Sequence, residues 1–109
     1  MYVILWEFRV SESRRDEFEH VYSAHGDWAK LFERSEDFLG TTLVRDTSDS
    51  ARYVKIDRWR TQTSFDQFKS EFINDYVELD HKCERLTAAE TLIGRFVVPD
   101  HSATASRPL

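Results

Sequence analysis

The sequence predicts an α+β domain in which strands and helical regions follow the order strand–helix–strand–strand–helix–strand. Four segments alternate apolar and polar residues, two longer stretches carry apolar residues at helical spacing, and a polar run between the second and third strand segments predicts a hairpin. The chain of 109 residues has the length of one domain. We therefore predict one domain over residues 1–98, followed by a disordered tail over residues 99–109 that is rich in small polar residues.

The first half of the chain is predicted to form one strand and two short helices. The strand covers residues 2–10, and one of its faces carries Tyr2, Ile4, Trp6, Phe8 and Val10. Ser13 is the predicted N-cap of the first helix, because Asp16 and Glu17 follow in the first turn, where negative charge favours the helix dipole. Gly26 lies at a break that precedes the second helix.

A hairpin and a longer helical region are predicted next. The hairpin strands cover residues 38–46 and 52–59, and a polar turn joins them. Ser64 and Gln67 fit a capping box at the start of the helical region. Asn74 and Asp75 predict that this region is kinked or split.

The last elements complete a recognisable fold class. Thr87 and Glu90 fit a second capping box, which predicts a short helical turn, and the last strand is predicted over residues 92–98. The resulting order, βαββαβ, is that of the ferredoxin-like fold with its four-stranded antiparallel sheet. In that fold the first and third strands lie in the centre, and the helices cover one face of the sheet.

The sheet face opposite the helices is predicted to be apolar. It would carry Val3, Leu5, Val54, Ile56, Ile93 and Val97. An apolar face of this size needs a cover, and a second copy of the chain is the simplest one, because a two-fold interface uses the same patch twice. We therefore predict a homodimer.

Composition restricts the partners and the compartment. A net charge of −5 disfavours a nucleic acid or an anionic membrane as partner, and the apolar runs are too short to span a bilayer. Cys83 is the single cysteine, and no signal peptide is visible, so the cytoplasm is the expected compartment. The glycine motifs of phosphate-binding and dinucleotide-binding loops are absent, so no nucleotide cofactor is expected.

Two strand segments carry a family resemblance. The run YVILWEFRV at residues 2–10 and the run YVKIDRW at residues 53–59, followed by a helix with several phenylalanines, resemble the antibiotic biosynthesis monooxygenase (ABM) family. The resemblance covers residues 1–98. It implies a dimeric α+β barrel that binds a small hydrophobic or aromatic ligand, and some members are cofactor-free oxygenases of polycyclic aromatic substrates. We accordingly predict no cofactor.

The same resemblance raises haem degradation as an alternative. Haem-degrading members typically have an asparagine on the first strand, a tryptophan at the end of the third strand and a histidine on the last helix. Trp59 and His81 match the tryptophan and the histidine by position, whereas Phe8 stands in place of the asparagine. The missing polar group disfavours haem degradation.

Seven residues are predicted to form the site. The predicted catalytic residues are Trp59, Tyr76 and His81: the indole would stack on a planar substrate, and the histidine or the tyrosine would accept a proton or form a hydrogen bond. The predicted substrate-binding residues are Trp6, Phe8, Trp28 and Asp57.

Each assignment has a structural alternative. Trp59, Trp6 and Phe8 would then be core residues, and Tyr76 and His81 would be surface or half-buried residues. Asp57 would belong to a set of ion pairs in which Glu7 or Arg9 faces Arg58 or Arg95. Two Glu-x-x-His pairs, at residues 17–20 and 78–81, have the spacing of di-iron ligands, but a sheet-based fold lacks the other helices of such a site, so no metal is predicted.

Three functions remain open at this point. The leading one is a cofactor-independent monooxygenase acting on a planar aromatic or polyketide-type small molecule. The second is a non-catalytic dimeric domain that binds a small molecule. The third is a haem-binding or haem-degrading monooxygenase.

Overall fold

The computed structural model describes residues 1–99, in which helices cover one face of a four-stranded antiparallel sheet. The strands are β1 (Tyr2–Arg9), β2 (Phe38–Arg45), β3 (Arg52–Trp59) and β4 (Ala89–Val97). The helices are α1 (Arg15–Tyr22), α2 (Asp27–Phe32), α3 (Gln62–Glu71) and α4 (Ile73–Cys83), with 3₁₀ turns at Glu12–Arg14 and Glu84–Leu86. This order confirms the predicted ferredoxin-like α+β fold. The predicted tail lies, from residue 100 onward, outside the described residues.

The sheet has the strand order β2-β3-β1-β4, so β1 and β3 lie in its centre as predicted. Tyr2 stands opposite Trp59 of β3 and Val97 of β4. Residues that stand opposite each other share a face of the sheet. The buried side chains under the helices are Tyr2, Ile4 and Phe8 on β1 and Tyr53, Lys55, Asp57 and Trp59 on β3. Within residues 1–99, no helix is long and apolar enough to cross a membrane.

The helix starts differ from the predicted ones in two places. Thr61, and not Ser64, is the N-cap of α3: the Thr61 hydroxyl accepts a hydrogen bond from the Ser64 amide at 3.0 Å, and the Ser64 hydroxyl accepts one from the Thr61 amide at 3.1 Å. The predicted box of Ser64 and Gln67 was therefore three residues late, because Ser64 is the return partner of the box. Ser13 lies inside the first 3₁₀ turn, and α1 follows that turn directly without a side-chain cap.

The C-terminal elements also correct two predictions. The split in the second helical region falls at Phe72, which ends α3 and precedes α4 with φ −109° and ψ 29°, and not at Asn74. The predicted capping box of Thr87 and Glu90 does not form, because β4 already begins at Ala89 and Glu90 pairs with Phe8 of β1. Backbone pairing with a central strand has overridden the local capping pattern.

The open sheet face is apolar and differs from the predicted set at three positions. Val44 of β2, opposite Val54, is an addition, Ile93 lies in a bulge, and Val97 belongs to the other face. Val3 stands opposite Phe96, whereas Val97 stands opposite Tyr2 on the helix-covered side. Phe96 therefore takes the place of Val97 on the open face, where 48% of its surface is exposed. The cause is a β-bulge at Ile93, which has no partner on β1 and shifts the alternation of the strand by one residue.

Candidate active site

A cavity of about 360 Å³ lies between the helix-covered face of the sheet and the four helices. Its size falls in the range of small-molecule sites, roughly 300–1,000 Å³. Half of the described residues that line it are aromatic: Trp6 and Phe8 from β1, Tyr22 from α1, Trp28 and Phe32 from α2, Phe65 from α3, and Tyr76 from α4. We refer to this space as the aromatic cavity.

The alternation of the central strands explains which side chains enter the cavity. On β1, Ile4, Trp6 and Phe8 share the helix-covered face, and all three line the aromatic cavity. On β3, the same face presents Lys55 and Asp57 to the cavity. Two charged residues thus stand on the inner face of a central strand, where apolar residues are the rule.

A buried polar chain crosses the floor of the cavity. The ammonium of Lys55 lies 3.3 Å from one carboxylate oxygen of Asp57, and the Thr41 hydroxyl donates to the other oxygen at 2.6 Å. The side chains of Lys55 and Asp57 are only 5% and 3% exposed. A buried ion pair is tolerated when further hydrogen bonds satisfy its members, and the carboxylate of Asp57 meets this condition on both oxygens.

The Lys55 ammonium is also surrounded by rings. It lies 5.5 Å from the ring centroid of Tyr22, 5.2 Å from that of Trp28 and 5.3 Å from that of Phe32. A cation over an aromatic face is attracted by the negative centre of the ring, and the attraction grows where water is excluded. These rings hold the ammonium at the inner end of the cavity.

The mouth of the cavity is lined by ionisable groups from α4 and β4. Burial raises the pKa of the Tyr76 phenol to about 12, and the nearby carboxylates, first that of Asp80, add to this effect. The pKa of the Glu90 carboxyl is also raised, first because the surrounding protein withdraws it from water and then because of the charge of Asp80. Glu90 keeps contact with solvent at the rim. Around neutral pH, Tyr76 is a hydrogen-bond donor, and Glu90 is a carboxyl with enhanced basicity.

Five of the seven predicted site residues line this cavity. They are Trp6, Phe8, Trp28, Asp57 and Tyr76. Trp6 is half-buried, whereas Phe8 and Trp28 are buried and also pack in the aromatic core. For these two residues, the cavity-wall and core interpretations therefore both apply.

Trp59 lies in the core, one layer behind the cavity. Its side chain is 0% exposed, and its ring centroid lies 5.1–5.3 Å from those of Phe32, Phe38, Phe65 and Phe68. Phe32 and Phe65 line the cavity themselves and separate Trp59 from it. The structure thus places Trp59 where it can support the wall but cannot touch a ligand.

His81 lies on the outside of α4. Its side chain is 69% exposed, and its Nδ1 atom lies 3.2 Å from the Glu84 carboxylate. It faces away from the aromatic cavity because Tyr76 and Asp80, four residues apart, occupy the inner side of α4. The structure does not bring His81 together with the other predicted residues.

The predicted pairing of Glu7 or Arg9 with Arg58 or Arg95 is wrong. Glu7 pairs with Arg52 at 3.0 Å, and Arg9 pairs with Asp49 at 2.8 Å. The register explains the first pair: Val54 stands opposite Glu7, and Arg52 is the next residue of β3 on the same open face. Arg95 instead lines the aromatic cavity.

Lys55 and Glu90 are two of the nine described cavity residues that were not among the predicted site residues. Lys55 carried a usable signal, since the alternation of β3 puts it on the same face as Asp57, inside the sheet. Glu90 carried none, because the residues around it were predicted to form a turn. Within residues 1–99, no group of three or more histidine, cysteine, aspartate or glutamate residues is arranged to hold a metal ion.

Comparison with known proteins gives a family match. The family model described as antibiotic biosynthesis monooxygenase matches residues 1–71. Among curated proteins, no sequence matches.

Solved structures add matches over nearly the whole chain. SnoaB of Streptomyces nogalater, described as a cofactor-independent oxygenase, is 23% identical; the match covers 91% of this chain and 93% of that chain, with a TM-score of 0.66. A Deinococcus radiodurans protein described by the family name is 8% identical, with 92% and 94% covered and a TM-score of 0.73. A Bordetella bronchiseptica protein of the same description is 17% identical, with 90% and 96% covered and a TM-score of 0.67. At these identities, the likeness establishes the shared fold.

Proposed function

Because this chain belongs to the antibiotic biosynthesis monooxygenase family, we propose that it is a cofactor-independent monooxygenase that acts on a planar aromatic or polyketide-type small molecule. The observation that carries the proposal is the aromatic cavity, whose walls are rings and whose inner end holds a buried ammonium. Ring-lined walls suit a flat substrate, since stacked and edge-to-face contacts add to the burial of apolar area. The description of SnoaB as a cofactor-independent oxygenase supports the same reaction class.

The reaction uses the substrate as its own reductant. A methylene group between two rings loses a proton to a base, and the resulting carbanion reduces dioxygen. The net change converts the CH₂ group and O₂ into a carbonyl group and water, so two hydrogens leave carbon, one oxygen atom enters the product and the other enters water. Such chemistry requires a base and a site that stabilises negative charge on the substrate.

The cavity offers a different base from the one predicted. His81 lies outside, whereas the Glu90 carboxyl lines the mouth, and its raised pKa brings it closer to the operating pH. Tyr76 supplies a neutral phenol that can donate a hydrogen bond to a substrate oxygen. We propose Glu90 as the proton acceptor and Tyr76 as the donor, with Trp6, Phe8 and Trp28 as walls and Asp57 as the partner of Lys55.

Oxygen consumption tests the proposed function. The purified chain is mixed with an anthrone, whose methylene group lies between two rings, and oxygen uptake and the anthraquinone product are recorded. We expect turnover that Glu90→Gln lowers by about 10²–10⁴-fold, as loss of a general base does. His81→Ala is the matched control on the outside of α4 and should retain full turnover. No uptake across a broad panel of such substrates would leave a non-catalytic small-molecule-binding domain as the better interpretation.

A homodimer is part of the proposal. The open face presents Val3, Leu5, Val44, Val54, Ile56 and Phe96, and a second copy would remove these side chains from water. Light scattering after size exclusion should give twice the chain mass, and Phe96→Glu should shift the protein to the mass of one chain. A single-chain mass for the unaltered protein would contradict the dimer.

The buried, free thiol of Cys83 is compatible with the proposed cytoplasmic location.

Haem degradation receives no support from the cavity. Among the described residues that line it there is no histidine. Phe8, which stands at the position of the family's asparagine, is buried next to Phe18 and Tyr22. A visible spectrum recorded after addition of haem would reveal a shifted Soret band if haem bound, and we expect none.

A further inference from the structure

The buried ammonium of Lys55 has more hydrogen-bonding capacity than the protein uses. An ammonium carries three N–H donors and no acceptor. Within the described residues its one acidic partner is Asp57, at 3.3 Å, and its other close neighbours are the ring faces of Tyr22, Trp28 and Phe32. Ring faces attract the charge but do not replace a good acceptor. The side chain lines the cavity, so its remaining donors are available to a ligand there.

Asp57 positions this ammonium and has a protein partner at each of its carboxylate oxygens. One of its oxygens faces Lys55 and the other accepts from Thr41 at 2.6 Å, so both are engaged. The polar chain therefore runs from the Thr41 hydroxyl through the Asp57 carboxylate to the Lys55 ammonium, and the group that it presents to the cavity is a hydrogen-bond donor. A ligand oxygen with negative charge is the group that satisfies a buried ammonium best.

The charged side chains among the described residues that line the cavity balance one another. Three cations, Lys55, Lys69 and Arg95, balance three carboxylates, Asp57, Asp80 and Glu90. If Glu90 accepts a proton from the ligand, the lining has three positive and two negative charges. The single negative charge left on the ligand then restores the balance, so transfer of the proton inside the cavity leaves no net charge uncompensated.

We propose that the Lys55 ammonium is the group that binds the substrate oxygen as an anion in the aromatic cavity. The inference rests on the proposed function, whose site it specifies. In the enol form of the ligand the O–H bond breaks, its proton moves to the Glu90 carboxylate, and the electron pair stays on the ligand oxygen beside the Lys55 ammonium. Loss of the methylene proton gives the same anion, so Glu90 accepts one proton in either case. No oxidation occurs in this step.

Other ionisable groups share the cavity and act on the same ligand charge. Besides Asp57 on β3, they are Tyr22 on α1, Lys69 on α3, Tyr76 and Asp80 on α4, and Arg95 on β4. Lys69 lies over the ring of Tyr76 at 4.8 Å. A test of Lys55 must therefore separate its effect from a general change in positive charge.

Binding of two probes that differ in one hydroxyl group tests the inference without turnover. The probes are 2-hydroxyanthraquinone, whose anion absorbs at longer wavelength than its neutral form, and anthraquinone. Each is titrated with the full-length chain, and the absorbance of the bound hydroxylated probe is followed against pH. We expect its pKa to fall on binding by about 1 to 3, as an opposite charge within a few ångströms produces. Lys55→Met should abolish this fall.

Two further variants keep the test decisive. Lys82→Met removes a positive charge from an exposed ion pair outside the cavity and should leave the pKa of the bound probe as in the unaltered chain. If Lys55→Met does not fold because Asp57 is left without its partner, the double variant Lys55→Met with Asp57→Asn removes both buried charges and is measured instead.

The outcomes separate this inference from the proposed function. If both probes bind and the pKa does not fall, or if it still falls without Lys55, the inference is overturned and the aromatic cavity stands. If neither probe binds, the cavity proposal and the inference fail together. If the chain consumes no oxygen but the pKa of the bound hydroxylated probe falls only when Lys55 is present, the inference is supported and the proposed reaction is refuted.

Discussion

Replacing Trp59 distinguishes a core residue from a site residue. Its side chain is 0% exposed and is surrounded by Phe32, Phe38, Phe65 and Phe68 at 5.1–5.3 Å between ring centroids. Trp59→Ala should therefore lower the free energy of unfolding by about 3–5 kcal/mol, the range for large aromatic residues in cores. Because small domains are stable by about 5–15 kcal/mol, this variant should fold in the cold and melt well below the unaltered chain.

Trp59→Phe sharpens the prediction. The smaller ring buries less apolar area, which lowers the free energy of unfolding by about 1 kcal/mol. The change also removes an indole N–H that is buried without a hydrogen-bond partner among the described residues, and this raises the free energy of unfolding by a similar amount. We expect a net loss of at most about 2 kcal/mol, together with probe binding unchanged within a few-fold.

Urea unfolding followed by circular dichroism measures the stability of both variants, and probe titration measures the cavity. A Trp59→Phe chain that is as stable as the original but has lost binding by more than tenfold would refute the placement of Trp59 behind the wall. So would a Trp59→Ala chain of undiminished stability.

Three further changes test other parts of the structure. Gly26→Ala should destabilise the chain by about 1–3 kcal/mol, because a Cβ atom there would lie 2.3 Å from the backbone oxygen of Val21; an unchanged thermal midpoint would contradict this close approach. Glu90→Gln should flatten the pH dependence of stability: the raised pKa means that the folded chain holds this proton more tightly than the unfolded chain, so stability is lost as pH rises through the folded pKa. Urea midpoints of the unaltered chain and of Glu90→Gln at about pH 4 and pH 8 measure this. The same change in midpoint with pH for both proteins would contradict the raised pKa of Glu90. Tyr76→Phe should raise KM without moving the pH profile of kcat/KM, since a phenol with a pKa of about 12 stays protonated through the neutral range; a displaced profile would show that Tyr76 titrates.

The fold was predictable because the hydrophobic pattern decides it. Alternation located all four strands, and β3 was predicted with the bounds that the structure has, Arg52–Trp59. The errors fall where a tertiary contact overrides a local signal. Thr87 and Glu90 fit a capping box, yet pairing with β1 draws Glu90 into β4. The bulge at Ile93 has no signal in the local sequence. It places Phe96, and not the predicted Val97, on the open face.

The site was predictable in its walls and not in its charges. Aromatic residues on an inner strand face must lie in the core or line a cavity, so Trp6 and Phe8 were found by alternation alone. Trp59 shares that alternation, and only the packing of Phe32 and Phe65 decides that it stands behind the wall. His81 was chosen for its chemistry, but whether its side chain faces the cavity depends on how α4 is rotated about its own axis, which local sequence patterns do not determine. Lys55 was in view on the inner face of β3, where its charge was the available signal.

The same features make α4 a weak core helix and a suitable cavity wall. Of its residues, only Cys83 is fully buried, while Tyr76 and Leu79 are partly buried against the core and Ile73 and Val77 are exposed. A helix that packed closely on the sheet would fill the space above Lys55 with side chains. Because α4 begins anew at Phe72, it can stand off from β1 and β4 and turn Tyr76 and Asp80 toward the space between them. Of the two helices in this region, α3 thus supplies more of the buried packing, and α4 together with β4 supplies the polar rim of the cavity.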